Sequence, residues 1–236
     1  MKRFAPIKPQ HLDILPDRMK KLGVDERGYI VPWFVDWVDG KPVFQAYDPL
    51  KYKIAIEENR CWLSGDKLGA YKTFVVGPMC GINRTSAEPP SHHDCATFAA
   101  KACPFLTTPH AVRRQGPLQG QDIKSPGGHP IKRNPGVTLL WTTKSYQVQK
   151  VDNGYIIRMG RPTNIEFWAK GTPAKLAQVE DSVRTGLPVL HDAARVEGRE
   201  ALQLLQRMAA TFNDRVHAVL GERLPTLNAY CARVFL

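Results

Sequence analysis

Two cysteines and a histidine in the first half of the chain have the types and spacing of zinc ligands. The segment CWLSGDKLG, residues 61–69, matches the metal-binding knuckle C-x-x-C-G-x-x-L, except that Ser64 stands at the second cysteine position. Further along, His92 and Cys95 are spaced i and i+3, which places both side chains on one face of a helix. Zn²⁺ prefers four tetrahedral ligands, commonly thiolate sulfur and imidazole nitrogen. Cys61, His92 and Cys95 therefore predict a zinc site that needs a fourth ligand.

Three interpretations of that fourth position stay open. Cys80 completes the set if the segment that carries it folds toward the knuckle. Alternatively, water or the Ser64 hydroxyl takes the fourth place, although a hydroxyl loses its proton far less readily than a thiol. In the third interpretation the segment holds no metal, because free cysteines are among the most buried residues and often only pack.

The elements around these residues have the order of a treble-clef zinc finger. The run AYKTFVVGPMCGINR, residues 70–84, contains Gly77-Pro78 and Gly81 and predicts a short hairpin. Pro89 and Pro90 then lead into a helix through ATFAAKA, which Ser91 can cap. Knuckle, hairpin and a helix whose first turn carries the second ligand pair make segment 61–103 resemble a treble clef.

The same region resembles a set of bacterial and phage proteins of unknown function. The resemblance is carried by RGYIVPWFV and by FVVGPMCGINRTSAEPPSHHDCATFAAKACPFL. Those proteins have cysteine where this chain has Ser64, so the resemblance implies a metal-binding knuckle and no particular activity.

Other catalytic patterns find little support. Treble clefs also carry the HNH nucleases, whose general base is a histidine on the hairpin, but no histidine lies between Cys61 and His92. Cys80 with His92 or His93 has the residue types of a thiol nucleophile and its base. The chain contains no Walker A motif, H-E-x-x-H motif or nucleophile elbow.

The charge of the chain favours an anionic partner. It has 33 Lys and Arg against 22 Asp and Glu, a net charge of +11, and nucleic acid is the commonest partner of such a chain. The Pro- and Gly-rich segment 107–136 predicts a binding arm or a connector. Its candidate phosphate-binding residues are Arg113, Arg114, Lys132 and Arg133.

Arg84 is a further candidate for anion binding. It lies in GINRTS, shortly before the predicted helix start, where peptide N–H groups favour an anion. Arginine adds a fork that can bind phosphate with two hydrogen bonds. The alternative is that Arg84 pairs with Glu88 or caps backbone carbonyls.

Secondary-structure signals place strands and helices on both sides of the basic segment. Hairpin turns are predicted at Asp39-Gly40 and at 152–154, and NIEFWAKG predicts a further strand. Thr172-Pro173 predicts the start of a helix that ends at Gly186. Beyond Pro188, a longer helical stretch to about Leu220 is predicted, with an interruption near Gly198.

Together these patterns predict an α+β protein with a treble-clef-like zinc centre, β-hairpins and C-terminal helices. The predicted divisions are a zinc-binding lobe over 1–106, the basic segment 107–136, and a hairpin and helices over 137–236, with the lobes free to pack as one domain. No run of about 18 apolar residues exists, so no membrane span is expected. The absence of a signal-peptide pattern and the odd cysteine count favour a reducing cytoplasm.

The leading functional prediction is a zinc-containing, phage-related protein that binds nucleic acid or a nucleotide-like anion. A rival prediction is a zinc-dependent hydrolase that activates water at an open coordination position. A third is a protein-interaction or inhibitory module whose basic charge meets an acidic protein.

Overall fold

Short antiparallel strands alternate with helices in the computed structural model, which describes residues 5–109, 111, 134–151 and 154–233. The strands are β1 Val35–Val38, β2 Lys41–Tyr47, β3 Lys72–Val76, β4 Thr85–Ser86, β5 Thr138–Thr143, β6 Tyr146–Val151, β7 Gly154–Met159, β8 Pro162–Ala169 and β9 Thr172–Pro173. The helices are α1 Pro9–Leu12, a 3-10 turn Asp17–Met19, α2 Pro49–Glu57, α3 Pro78–Asn83, α4 His93–Ala102, α5 Pro104–Thr107, α6 Leu176–Glu197, α7 Arg199–Leu220 and α8 Pro225–Cys231. The predicted mixture of α and β structure is confirmed.

The strands form three antiparallel sheets, and the two larger ones join the two halves of the chain. Their orders are β1-β2, β3-β5-β8-β9 and β4-β7-β6. Strands β3 and β4 precede the basic segment 107–136, whereas their partners β5 and β7 follow it. At the ends of that segment, the Asn134 amide donates to the Ala111 carbonyl at 2.8 Å. Two sheets therefore contain strands from both sides of the predicted division at 107–136.

The main core lies between the β3-β5-β8-β9 sheet and helices α3, α6 and α7. All six residues of β5, TLLWTT, are buried, as expected for a strand that pairs with β3 on one side and β8 on the other. Helix α3 approaches α6 closely at Gly186, where an added Cβ would lie 2.7 Å from Met79 Cγ. Phe212 of α7 packs edge-on against Phe167 of β8. Strand β3 and helix α3 of the N-terminal half therefore belong to this core.

Several predicted elements are confirmed. Strands β1 and β2 pair with Val38 opposite Lys41, and the turn residues Asp39 and Gly40 both have positive φ, 48° and 79°. Strands β6 and β7 pair with Val151 opposite Gly154; the turn residues 152–153 lie outside the described residues. The predicted break between the long C-terminal helices occurs at Gly198.

The hairpin predicted over residues 70–84 is wrong. The segment forms strand β3 and then helix α3, which Pro78 starts at its first position and Arg84 ends in the left-handed conformation, φ 55°. Strand β3 pairs with β5 instead of with a neighbouring strand. Proline at the first helical position is favourable because its ring fixes φ near the helical value, so Gly77-Pro78 marks a strand-to-helix junction here.

The helix boundaries predicted around 172–186 are also wrong. Thr172 and Pro173 form strand β9, and α6 begins at Leu176, where the Lys175 amide donates to the Gln178 side chain at 2.8 Å. The helix continues through Gly186 to Glu197. Gly186 serves close packing against Met79, so at this position glycine does not mark a helix end.

Candidate metal centre

The knuckle around Cys61 is held by its own backbone. The Gly65 amide donates to the Cys61 carbonyl at 2.8 Å, and the Cys61 amide donates to the Asp66 carbonyl at 2.7 Å. Gly65 has φ +79°, and an added Cβ would lie 2.8 Å from the Trp33 ring, so only glycine fits this turn. The turn directs the Ser64 amide at the Cys61 sulfur, 3.3 Å away. This N–H···S bond is the feature that a metal-binding knuckle provides for a thiolate.

The chain that enters helix α4 is attached directly to the knuckle and to β3. The Trp62 amide donates to the Pro90 carbonyl at 3.0 Å, while Ser91 and Thr73 exchange two backbone hydrogen bonds of 2.8 Å. His92 is the N-cap residue of α4, and its amide donates to the Cys61 sulfur at 3.4 Å. These bonds bring His92 and Cys95 to Cys61, although Ser91 does not cap the helix as predicted.

Cys61, His92 and Cys95 form one group whose potential ligand atoms all lie within 4.8 Å of one another, close enough to hold a metal ion. Ligands at about 2.3 Å from a tetrahedral metal are about 3.8 Å apart, so closing the group onto an ion needs shifts of about 1 Å. Both cysteines are fully buried and His92 is half-buried. Apart from its backbone amide, which donates to the Cys61 sulfur, His92 has a buried ring atom, Nδ1, with no partner of hydrogen-bond geometry. A coordinated cation would provide that partner.

The two cysteines share their ionisation. Burial raises the pKa of Cys61, but hydrogen bonds from Cys95, His92 and Ser64 more than offset burial, so the net pKa lies far below its ordinary value. Hydrogen bonding to the Cys61 sulfur, followed by burial, raises the pKa of Cys95 well above its ordinary value. The pair therefore loses its first proton readily, with Cys61 as the favoured thiolate, and holds its second proton strongly.

Ser64 occupies the side of the group where the knuckle motif would have a second cysteine. Its side chain is fully buried and lies close enough to the sulfurs of Cys61 and Cys95 to lower the pKa of both. Its Oγ also accepts the Asp66 amide at 3.3 Å. Of the open interpretations for the fourth position, this geometry corresponds to the one that places the Ser64 hydroxyl there.

Cys80, the predicted fourth ligand, is not brought to this group. It lies on helix α3, since the segment that was expected to fold back as a hairpin is helical there. Burial raises the pKa of Cys80 to about 11, which is the opposite of what a nucleophilic thiol needs. Cys80 therefore fits a packing role better than a ligand or a nucleophile.

An N-terminal segment that the sequence did not assign to the site covers it. Leu15, Met19 and Leu22 pack in one apolar cluster with Cys61 and Cys95. Two ion pairs on its surface join the segment to the site: Arg18 to Asp94 at 2.9 Å, and Lys21 to Asp66. The spacing of Leu15, Met19 and Leu22, i, i+4 and i+7, indicates that the three side chains are buried on one side of the segment. It does not indicate that they pack with Cys61 and Cys95.

Helix α4 carries a second polar contact beside the metal-ligand group. His93 Nε2 and Glu166 Oε1 of β8 lie 2.6 Å apart, and Glu166 also accepts hydrogen bonds from Asn164 and Trp168. This contact joins the ligand-bearing helix to the central sheet. His93 thus has a different partner from its neighbour His92, as the angle between consecutive helical residues predicts.

Of the five predicted anion-binding residues, the structure describes only Arg84. Arg84 donates through Nε and Nη2 to the Met159 carbonyl, at 3.2 and 2.8 Å, which is the carbonyl-capping alternative. It lies at the end of α3 rather than at the start of α4. The other four, Arg113, Arg114, Lys132 and Arg133, lie outside the described residues.

Comparison of the chain with protein-family models, with curated proteins and with solved structures gave no match. Within the described residues, every helix is too short or too polar to cross a bilayer.

Proposed function

We propose that this chain is a zinc-containing protein that binds nucleic acid through its phosphates. The zinc part is supported by the donor set, two sulfurs and one imidazole, which is typical of zinc and unlike the oxygen-rich sites of magnesium or calcium. The Cys61–His92–Cys95 group would hold the ion, with the Ser64 hydroxyl on the fourth side. A knuckle followed by a helix that carries the second ligand pair supports the treble-clef-like part of the proposal, whereas residues 70–84 do not form the hairpin of that fold.

The burial of the site supports a structural role over the rival hydrolase. A catalytic zinc keeps one position open for water and substrate. Here both sulfurs and Ser64 are fully buried, and the N-terminal segment packs over them. When bound, zinc would cross-link the knuckle to the start of α4, and this chain's own residues would exclude water from it.

The thiols fit a reducing compartment such as the cytoplasm. All five cysteines lie within the described residues and none is in a disulfide. Zinc requires thiolates, and disulfide formation would remove them. Localisation there is part of the proposal.

The net charge of +11 carries the binding part of the proposal. A protein that neutralises several phosphates releases condensed counterions, so its affinity falls steeply as salt rises. Arginine and lysine contacts to phosphate carry little sequence preference. The expected ligand is therefore nucleic acid of unrestricted sequence.

A fluorescence-anisotropy titration tests this function. The purified protein would be titrated into labelled single-stranded and duplex DNA and RNA of mixed sequence, at several salt concentrations between about 50 and 200 mM. We expect affinity that falls steeply with salt and depends weakly on sequence. Absence of binding at the lowest salt, or affinity indifferent to salt, would remove the proposal.

A further inference from the structure

Two arginines from separate elements lie near the end of strand β7. Arg84, the residue that ends α3, donates two hydrogen bonds to the Met159 carbonyl, and the Met159 amide donates back to the Arg84 carbonyl at 2.8 Å. Arg161 follows two residues after Met159 and is exposed. The guanidinium of Arg84 is therefore held beside the segment that carries Arg161.

A third arginine reaches the same place from helix α7. The guanidinium carbon of Arg215 lies 5.9 Å from the centre of the Trp141 ring. The indole N–H of Trp141 donates to the Gly160 carbonyl at 3.0 Å, directly between Met159 and Arg161. The three arginines, called here the arginine triad, come from α3, α7 and the β7–β8 connection, and the charges of Arg161 and Arg84 both act on Arg215.

No acidic side chain neutralises the triad within the part of the chain that the structure describes. None of the three guanidinium groups takes part in an ion pair there, whereas Arg18, Arg27, Arg60, Arg184, Arg195 and Arg223 each have an acidic partner. Burial, followed by the charges of Arg161 and Arg84, lowers the pKa of Arg215. Like charges that are held together without a counter-charge destabilise the fold, and a bound anion removes that cost.

The triad also keeps hydrogen-bond donors available. A guanidinium has five N–H donors, and Arg84 directs donors from Nε and Nη2 at a single carbonyl oxygen. Its anchoring on a backbone carbonyl fixes its direction, and Trp141 supports Arg215 from one side. The donors of Arg84 that the carbonyl does not use, together with those of Arg161 and Arg215, can donate to the oxygens of a phosphate.

We propose that Arg84, Arg161 and Arg215 bind a phosphate group. The inference rests on the proposed nucleic-acid function and deepens it by locating a phosphate contact among the described residues. The chemistry recognised is a tetrahedral oxyanion, which a nucleic-acid backbone or a free phosphate can supply. Separate arms of the test distinguish these two sources.

Arg161→Gln is the variant that tests the site, because its side chain is exposed and its removal leaves the anchored Arg84 and Arg215 in place. Arg199→Gln is the matched control. It removes the same charge from an exposed position on α7, about 24 Å along the helix from Arg215. Both variants would be compared with the wild-type chain for thermal unfolding without added anion. We expect Arg161→Gln to unfold at the same or a higher temperature, because it relieves like-charge repulsion.

The first arm measures anisotropy with a labelled single-stranded DNA of mixed sequence. We expect Arg161→Gln to weaken binding about tenfold and to reduce the salt slope by about one, while Arg199→Gln changes affinity less than about twofold. Equal weakening by both variants would overturn the triad and leave the nucleic-acid function standing. Absence of DNA binding by the wild-type chain would instead remove that function.

The second arm measures the unfolding temperature in inorganic phosphate and in chloride of equal ionic strength. A ligand that binds only the folded state raises this temperature. We expect phosphate to stabilise the wild-type chain and Arg199→Gln, and to lose that effect in Arg161→Gln, whether or not DNA binds. No stabilisation of the wild-type chain by phosphate, or equal stabilisation of all three proteins, would overturn the site. A lower unfolding temperature of Arg161→Gln without anion would show a structural role and would also contradict the site.

Discussion

The Ser64 amide donates a hydrogen bond to the Cys61 sulfur at 3.3 Å, and the buried Ser64 side chain lies beside that same sulfur. The loop therefore keeps the backbone geometry of a knuckle while a hydroxyl replaces its second thiol. Because the Ser64 side chain lowers the pKa of Cys95 as well as that of Cys61, this position lies beside both sulfurs of the group. A thiol placed there would lie beside the same two sulfurs.

Ser64→Cys should add a fourth strong ligand to Cys61, His92 and Cys95 at the zinc site. A thiol ionises far more readily than a hydroxyl, so we expect slower transfer of zinc to a competing chelator and an affinity higher by about tenfold or more. The measurement is competition with a chromogenic chelator. Ser182→Cys is the matched control, since Ser182 is also a buried serine but lies on α6. Equal zinc retention by wild-type and Ser64→Cys proteins would contradict the role given to this position.

Cys80 should behave as a half-buried, unreactive thiol with no metal. Its pKa of about 11 leaves a thiolate fraction of about one in a thousand at pH 8, and the thiolate is the reactive form. We expect iodoacetamide to modify Cys80 more than about 100-fold more slowly in the folded chain than in the denatured chain. The rate should keep rising with pH beyond 9. Mass spectrometry of the modified peptide measures this, and rapid modification at neutral pH would contradict the assignment.

Zinc binding should release about one proton from the thiol pair at pH 7.5. The lowered pKa of Cys61 means that its thiolate is already present, whereas the raised pKa of Cys95 means that its proton must leave. Two ordinary thiols would together release about two protons at this pH. Affinity should therefore fall about tenfold, not a hundredfold, for each unit by which the pH decreases. Calorimetry in buffers of different ionisation enthalpy counts the protons, and a count near two would contradict the shared ionisation.

Removing zinc should loosen one region of the chain and leave the main core intact. Leu15, Met19 and Leu22 share an apolar cluster with Cys61 and Cys95, whereas Trp141 and Leu139 of β5 belong to the separate main core. We expect a chelator to speed amide hydrogen exchange in residues 15–30 and 61–68 and to leave β5 protected. Uniform acceleration, or none, would show that the ligand group does not organise the N-terminal segment.

The ligand group was predictable from sequence because its determinants are local. Gly65 after the knuckle, the His92–Cys95 spacing and the prolines before α4 each act within a few residues. Backbone hydrogen bonds then bring the two parts together, from Trp62 to Pro90 and between Thr73 and Ser91. The prediction that Cys61, His92 and Cys95 converge is confirmed.

The parts that sequence reasoning missed depend on contacts between distant residues. Gly186 reads as a helix end, but its role is set by Met79, far away in the chain. Strand β3 reads as half of a hairpin, but its partner is β5 beyond the basic segment. For Arg84 the sequence left anion binding and carbonyl capping open, and it could not identify the capped carbonyl, which lies at the end of β7. In each case tertiary packing decides among conformations that local preference leaves open.

The metal content of the purified protein tests the central claim most directly. Elemental analysis would compare the wild-type chain with His92→Ala and with His93→Ala, a matched change in the neighbouring histidine, whose partner is Glu166 instead of the ligand group. The account predicts about one zinc per chain in the wild-type protein and in His93→Ala, and a large loss of zinc in His92→Ala. A folded wild-type protein without zinc, or equal zinc in all three proteins, would contradict it.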